Sequence, residues 1–121
     1  MVKTFLVVDD SASMRQLITF ALQDAGYDVL LAENGKDALD KLSITKVDMV
    51  ITDLNMPDMD GIELITHLRG TPEYKFVPIV MLTTEAQEEK KMQGKAAGAS
   101  GWIVKPFTPE QLLNVVRKFV K

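Results

Sequence analysis

Four places in the chain end an apolar run with residue types suited to phosphoryl chemistry. Asp9-Asp10 follow the first run, Asp53 the third, Thr83-Thr84 the fourth and Lys105-Pro106 the fifth. Three carboxylates brought to one edge of a sheet repel one another, so either their pKa values rise or a cation sits among them. Oxygen ligands without nitrogen or sulfur donors suit Mg²⁺, which keeps several waters and shares its shell with phosphate. An aspartate can act as a covalent nucleophile and form an acyl phosphate. Transfer of this kind relies on positioning and charge neutralisation. Lys105 would meet one phosphoryl oxygen as a point charge, and the Thr83 hydroxyl would donate to another. Aspartates taken singly more often cap helices or sit in loops. Here Ser11 or Ser13 is available to cap the helix after Asp10, which frees Asp9 from that duty.

The elements that must carry these residues alternate along the chain. Phe5–Val8, Val29–Leu31, Met49–Ile51, Val77–Leu82 and Trp102–Val104 read as strands that are apolar throughout. Between them, apolar residues recur at helical spacing: Met14 to Ala25 ending at Gly26, then Ala38, Leu39 and Leu42, then Ile62, Ile65 and Leu68 closed by Gly70 and Pro72. The stretch 86–97 is a weaker helix, because its apolar stripe is thin and Gly94 costs about 1 kcal/mol against Ala. The last helix has Thr108 as cap, Pro109 at its first position, Gln111 to complete a capping box, and Phe107 with Leu112 at the spacing of a staple. Its buried face is Leu112, Val115, Val116, Phe119 and Val120. Apolar strands each followed by a helix imply an α/β fold with a parallel sheet covered on both faces. In such sheets ligands sit outside the carboxyl ends of the strands, where all four acidic, hydroxyl and basic motifs fall.

Rival phosphate chemistries fit less well. No Gly-rich loop of dinucleotide or P-loop type follows any strand. A flavin-phosphate loop needs neutral or positive donors after the first strand, where this chain has two aspartates. Haloacid-dehalogenase-like phosphatases separate their two aspartates by one residue, and here Ser11 stands where that pattern needs the acid.

Composition bounds the function further. The 121 residues suit one domain, spanning 1–121, with 46% hydrophobic and 26% charged residues. A formal net charge of -3 gives no electrostatic footprint for nucleic acid. The chain has no cysteine, which excludes disulfides and thiolate metal sites. No apolar run reaches membrane-spanning length and no signal-peptide core precedes the first strand, so a cytoplasmic monomer is expected.

At this point the motifs resemble a known family. Leu6-Val7-Val8-Asp9-Asp10, Asp53-Leu54-Asn55-Met56-Pro57 with Asp60-Gly61, Thr83, and Val104-Lys105-Pro106-Phe107-Thr108 are similar to those of response-regulator receiver domains. The resemblance covers essentially the whole chain and is strongest to the stand-alone chemotaxis regulators of that family. It implies a flavodoxin-like, doubly wound five-stranded sheet of order 2-1-3-4-5 with five helices on two faces. It further implies that Asp53 is the phosphoacceptor. Asp10 would be a direct Mg²⁺ ligand, Asp9 a ligand through water, and Asn55 a ligand through its carbonyl, beside Asp53 itself. Thr83 would follow the phosphoryl group inward, Lys105 would pair with it, and the Lys105–Pro106 bond would be cis. Trp102 stands where the family has Tyr or Phe. That aromatic turns inward as the threonine moves, altering the surface made by the fourth helix, fifth strand and fifth helix. Asn55 and Glu85 occupy positions that tune hydrolysis. His67, the one histidine, reads as a surface residue, and Met56 and Met59 as packing residues of the acceptor loop or a kinase contact.

The resemblance implies a diffusible two-component messenger, phosphorylated by a chemotaxis-type histidine kinase, acting on the flagellar motor switch protein and subject to a phosphatase. It gains and loses phosphate on itself and is no turnover enzyme. The alternative is a phosphorelay intermediate or phosphate sink without motor output. A small-molecule Mg²⁺ phosphatase is disfavoured by the aspartate spacing.

Overall fold

Uninterrupted apolar runs become strands when both faces of a sheet are covered, and this chain supplies five. The computed structural model describes residues 2–84 and 86–120. Its strands are β1 (Thr4–Val8), β2 (Asp28–Ala32), β3 (Met49–Asp53), β4 (Ile79–Thr84) and β5 (Gly101–Lys105). The helices are α1 (Ala12–Asp24), α2 (Gly35–Leu42), α3 (Gly61–Arg69), α4 (Glu88–Ala97) and α5 (Pro109–Phe119). All neighbours pair in parallel, in the order β2-β1-β3-β4-β5, which is the doubly wound order expected.

Alternation of side chains along the strands divides the core in two. Leu6, Val8, Val50, Ile79 and Met81 face α2, α3 and α4, where Leu42, Leu64, Ile65 and Leu68 meet them. Phe5, Val7, Met49, Ile51, Val80, Leu82 and Ile103 face α1 and α5, against Ile18, Leu22, Leu112 and Val116. Winding reverses between β1 and β3, so the crevice at their carboxyl ends lies between Asp9 and Asp53.

Several boundaries differ from the sequence reading. The β4 strand starts at Ile79, two residues late, because Pro78 has no N–H to give the ladder. A single 3-10 turn, Pro72–Tyr74, follows α3. The Tyr74 hydroxyl donates to the carbonyls of Leu42 and Thr45, tying that turn to the end of α2. The α4 helix begins at Glu88 and not at residue 86. Its cap, Gln87, gives no side-chain bond to the helix and instead accepts from the Thr84 N–H at 2.8 Å. Gly94 also needs a different account. A Cβ there would lie 2.0 Å from the Met81 sulfur, so the glycine lets α4 settle onto β4 and is more than a weak helix former.

Candidate functional site

Strand ends and helix starts place the acidic residues. The Asp9 N–H continues the β1–β2 ladder by donating to the Ala32 carbonyl at 3.1 Å, which fixes the residue just past β1. Its buried carboxylate accepts from the Ser11 N–H at 2.9 Å through Oδ1. Ser11, and not Ser13, caps α1, its hydroxyl accepting from the Met14 N–H at 3.3 Å. Asp53 ends β3, and its Oδ1 accepts from the Leu54 N–H at 2.8 Å. Asp10 is exposed beside them. One carboxylate oxygen from each of Asp9, Asp10 and Asp53 lies within 4.8 Å of the others. Three hard oxygen donors so close, with a single ammonium in range among the described residues, fit a divalent cation and leave a deficit of positive charge without one.

That ammonium is Lys105. Its Nζ lies 3.4 Å from Asp9 Oδ2 and 3.4 Å from Asp53 Oδ1, reaching across β4 from the sheet edge. Burial pushes the Asp53 carboxyl above the ordinary carboxylate range, and Asp9 acts in the same direction. Lys105 and the Leu54 N–H oppose the shift without cancelling it. The Lys105–Pro106 peptide bond is cis.

The loop after Asp53 is held by its own backbone. The Gly61 N–H donates to the Leu54 carbonyl at 3.0 Å, and a Cβ on Gly61 would stand 2.2 Å from the Asp53 carbonyl oxygen. Only glycine lets α3 start this close to the acceptor strand. Asp58 adopts φ 67°, and the Met59 N–H donates to the Pro57 carbonyl at 2.8 Å, a three-residue turn of the strained kind. Asp60 and Glu63 form a capping box on α3. Met56 is buried in the core, and Met59 packs over Gly35. Asn55 is exposed two residues beyond Asp53. Glu85 lies outside the described residues.

Thr83 is fully buried on the α4 face of β4, one residue beyond the pairing of Leu82 with Asp53. Its hydroxyl has no hydrogen-bond partner among the described residues. Trp102 pairs with Met81 on the same face and is half-buried. The aromatic therefore stands beside the methionine that seats α4, and Thr83 follows two residues later. A groove of about 540 Å³ runs from Trp102 and Lys105 along Gln111, Asn114 and Val115 of α5. His67 is exposed on α3, away from the carboxylates.

Three residues were missed by sequence reasoning. Arg15 donates to the Asp9 carbonyl at 2.6 Å, bracing the acidic turn from α1. Lys91 and Lys95 of α4 hold their ammonium groups 4.9 and 5.3 Å from the centroid of the Trp102 ring. Their four-residue spacing places both on one helix face, but nothing in the sequence says which ring that face meets.

A carboxylate cluster and a facing lysine at the switch point of a doubly wound sheet define a class of signalling module. The chain belongs to the response regulator receiver domain family, whose model matches residues 5–117. Among curated relatives, it is 46% identical over 111 residues to the chemotaxis protein CheY1 of Helicobacter pylori, covering 88% of each chain. It is 45% identical over 109 residues to the CheY homolog of Campylobacter jejuni, covering 88% of this chain and 84% of that one. The solved structure of the chemotaxis response regulator CheY4 of Vibrio cholerae superposes with a TM-score of 0.94 at 48% identity, over 99% of this chain and all of that one. The chain is thus a CheY-like two-component signalling domain and not a conventional enzyme. No helix among the described residues is long and apolar enough to cross a membrane.

Proposed function

We propose that residues 1–121 act as one receiver unit in which Asp53 accepts a phosphoryl group from a histidine kinase, converting the face made by α4, β5 and α5 into a binding surface. The observation that carries this reading is the placement of Lys105 Nζ 3.4 Å from both Asp9 and Asp53, together with a buried Thr83 hydroxyl that has no partner among the described residues. Asp53 is the nucleophile: its carboxylate oxygen bonds to phosphorus as the donor's phosphorus–nitrogen bond breaks, and the imidazole leaves. Lys105 neutralises one phosphoryl oxygen. Thr83 gains in the phosphorylated form the partner its hydroxyl lacks here. Asp9, Asp10, Asp53 and the Asn55 carbonyl would hold Mg²⁺, which neutralises charge on the transferring group. Hydrolysis by water restores the carboxylate, a step for which the family resemblance assigns tuning roles to Asn55 and Glu85.

Similarity to chemotaxis proteins supports the flagellar motor switch protein as the target, with a phosphatase as a further partner. The groove beside Trp102 offers the docking site. Incubation with a phosphorylated chemotaxis kinase should transfer label to the parent and none to Asp53→Asn; label retained by that variant would overturn the assignment. Binding of a motor-switch peptide should then tighten on phosphorylation, whereas transfer onward to a histidine phosphotransfer domain without peptide binding would make the chain a relay or sink.

A further inference from the structure

The fourth helix buries little of its own surface. It has no side-chain cap, and Gly94 is its one buried residue among those described. It meets the sheet at Met81 beneath Gly94, with Trp102 beside Met81 and Ala97 packed against the same core. The Trp102 ring is approached by the ammonium groups of Lys91 at 4.9 Å and Lys95 at 5.3 Å, both within cation–π range of the indole, the strongest such acceptor. Lys91 is drawn in further than a surface lysine usually is, with its side chain 20% exposed, and Glu88 holds it at 2.9 Å. Lys95 and Lys90 are both exposed, but of the two only Lys95 holds its ammonium within cation–π range of the ring among the described residues.

We infer that Lys91 and Lys95 are positioning residues that clamp Trp102 in the arrangement belonging to the free Asp53 carboxylate. In the described geometry Asp53 Oδ1 accepts from the Leu54 N–H and faces Lys105, while both lysines approach the Trp102 ring. The two lysines join α4 to β5 through one ring, so the ring cannot turn without separating from two charges or moving the helix with it. Their attraction sets how much phosphoryl binding energy the switch consumes. This inference rests on the reading of Asp53 as the acceptor and of Trp102 as the responding aromatic.

The test uses the intact protein, whose single tryptophan makes its fluorescence specific. Acrylamide quenching without any phosphoryl mimic should rise in the double variant Lys91→Gln/Lys95→Gln and stay at the parent value in Lys90→Gln. Titration with beryllofluoride and Mg²⁺ should then reach half-saturation at a concentration lower on the order of fivefold in the double variant. Lys91→Arg/Lys95→Arg should restore the parent midpoint, because guanidinium groups also stack on the ring. Unchanged quenching and an unchanged midpoint in the double glutamine variant would overturn the clamp. A parent that does not respond to beryllofluoride would overturn the acceptor reading instead, and the quenching comparison alone would then decide whether the lysines hold the ring.

Discussion

Lys105 Nζ and Asp53 Oδ1 face each other at 3.4 Å across the end of β4, the one ammonium contact among the described residues for a carboxylate whose pKa burial still raises. The lysine therefore compensates the buried charge only in part. Raised folded-state pKa means that Asp53 favours the fold fully below its unfolded value, about 3.9, and loses that contribution as pH rises through the folded value. Asp53→Asn should accordingly stabilise the metal-free protein at neutral pH, and its advantage should shrink near about pH 4. Urea unfolding at both pH values checks this; a variant no more stable at neutral pH contradicts it.

The same deficit of positive charge predicts a response to Mg²⁺. A cation bound by the folded state alone adds about 2.7 kcal/mol at a hundredfold excess over its dissociation constant. Thermal unfolding with and without Mg²⁺ should show a rise in Tm for the parent and a much smaller one for Asp10→Asn. Equal rises would remove Asp10 from the site.

Gly94→Ala runs against ordinary helix propensity. In an open helix the change gains about 1 kcal/mol, but here the new methyl would stand 2.0 Å from the Met81 sulfur. The expected outcome is a net loss of about 1–3 kcal/mol in urea unfolding, as for other overpacked cores. A gain in stability would show that Met81 moves aside freely.

Thr83→Val tests the unpaired hydroxyl. Removing a buried polar atom without a partner should leave stability unchanged or raise it by about 1 kcal/mol, while the Trp102 fluorescence response to beryllofluoride is lost. Destabilisation by a similar amount would mean that the hydroxyl is already satisfied in the resting protein.

Much of the fold was legible because its signals are local. Unbroken apolar runs gave the parallel sheet, and Thr108-Pro109 with Gln111 marked the start of α5, where a capping box is found. The carboxylates Asp9, Asp10 and Asp53 could be gathered from their places at strand ends. The strand order, however, came through resemblance, since periodicity does not say which strands are neighbours. Features that depend on two distant segments meeting were hidden. Gly94 reads as a helix defect until Met81 is seen beneath it. Lys91 and Lys95 read as solvated charges until Trp102 lies under them, and Arg15 gives no sign that it braces Asp9. The late start of α4 escaped for a related reason: Gln87 turns back to the Thr84 N–H, a choice that periodicity does not encode.

The central claim, that Asp53 is the acceptor, is tested most directly by chemical trapping. The protein would be incubated with Mg²⁺ and a phosphorylated histidine kinase, reduced with borohydride, digested, and read by peptide mass spectrometry. An acyl phosphate on Asp53 is reduced to homoserine at that position, so conversion should appear at Asp53, depend on Mg²⁺ and be absent without the phosphodonor. Conversion at another carboxylate, or none while the kinase still loses its phosphate to the protein, would contradict the account.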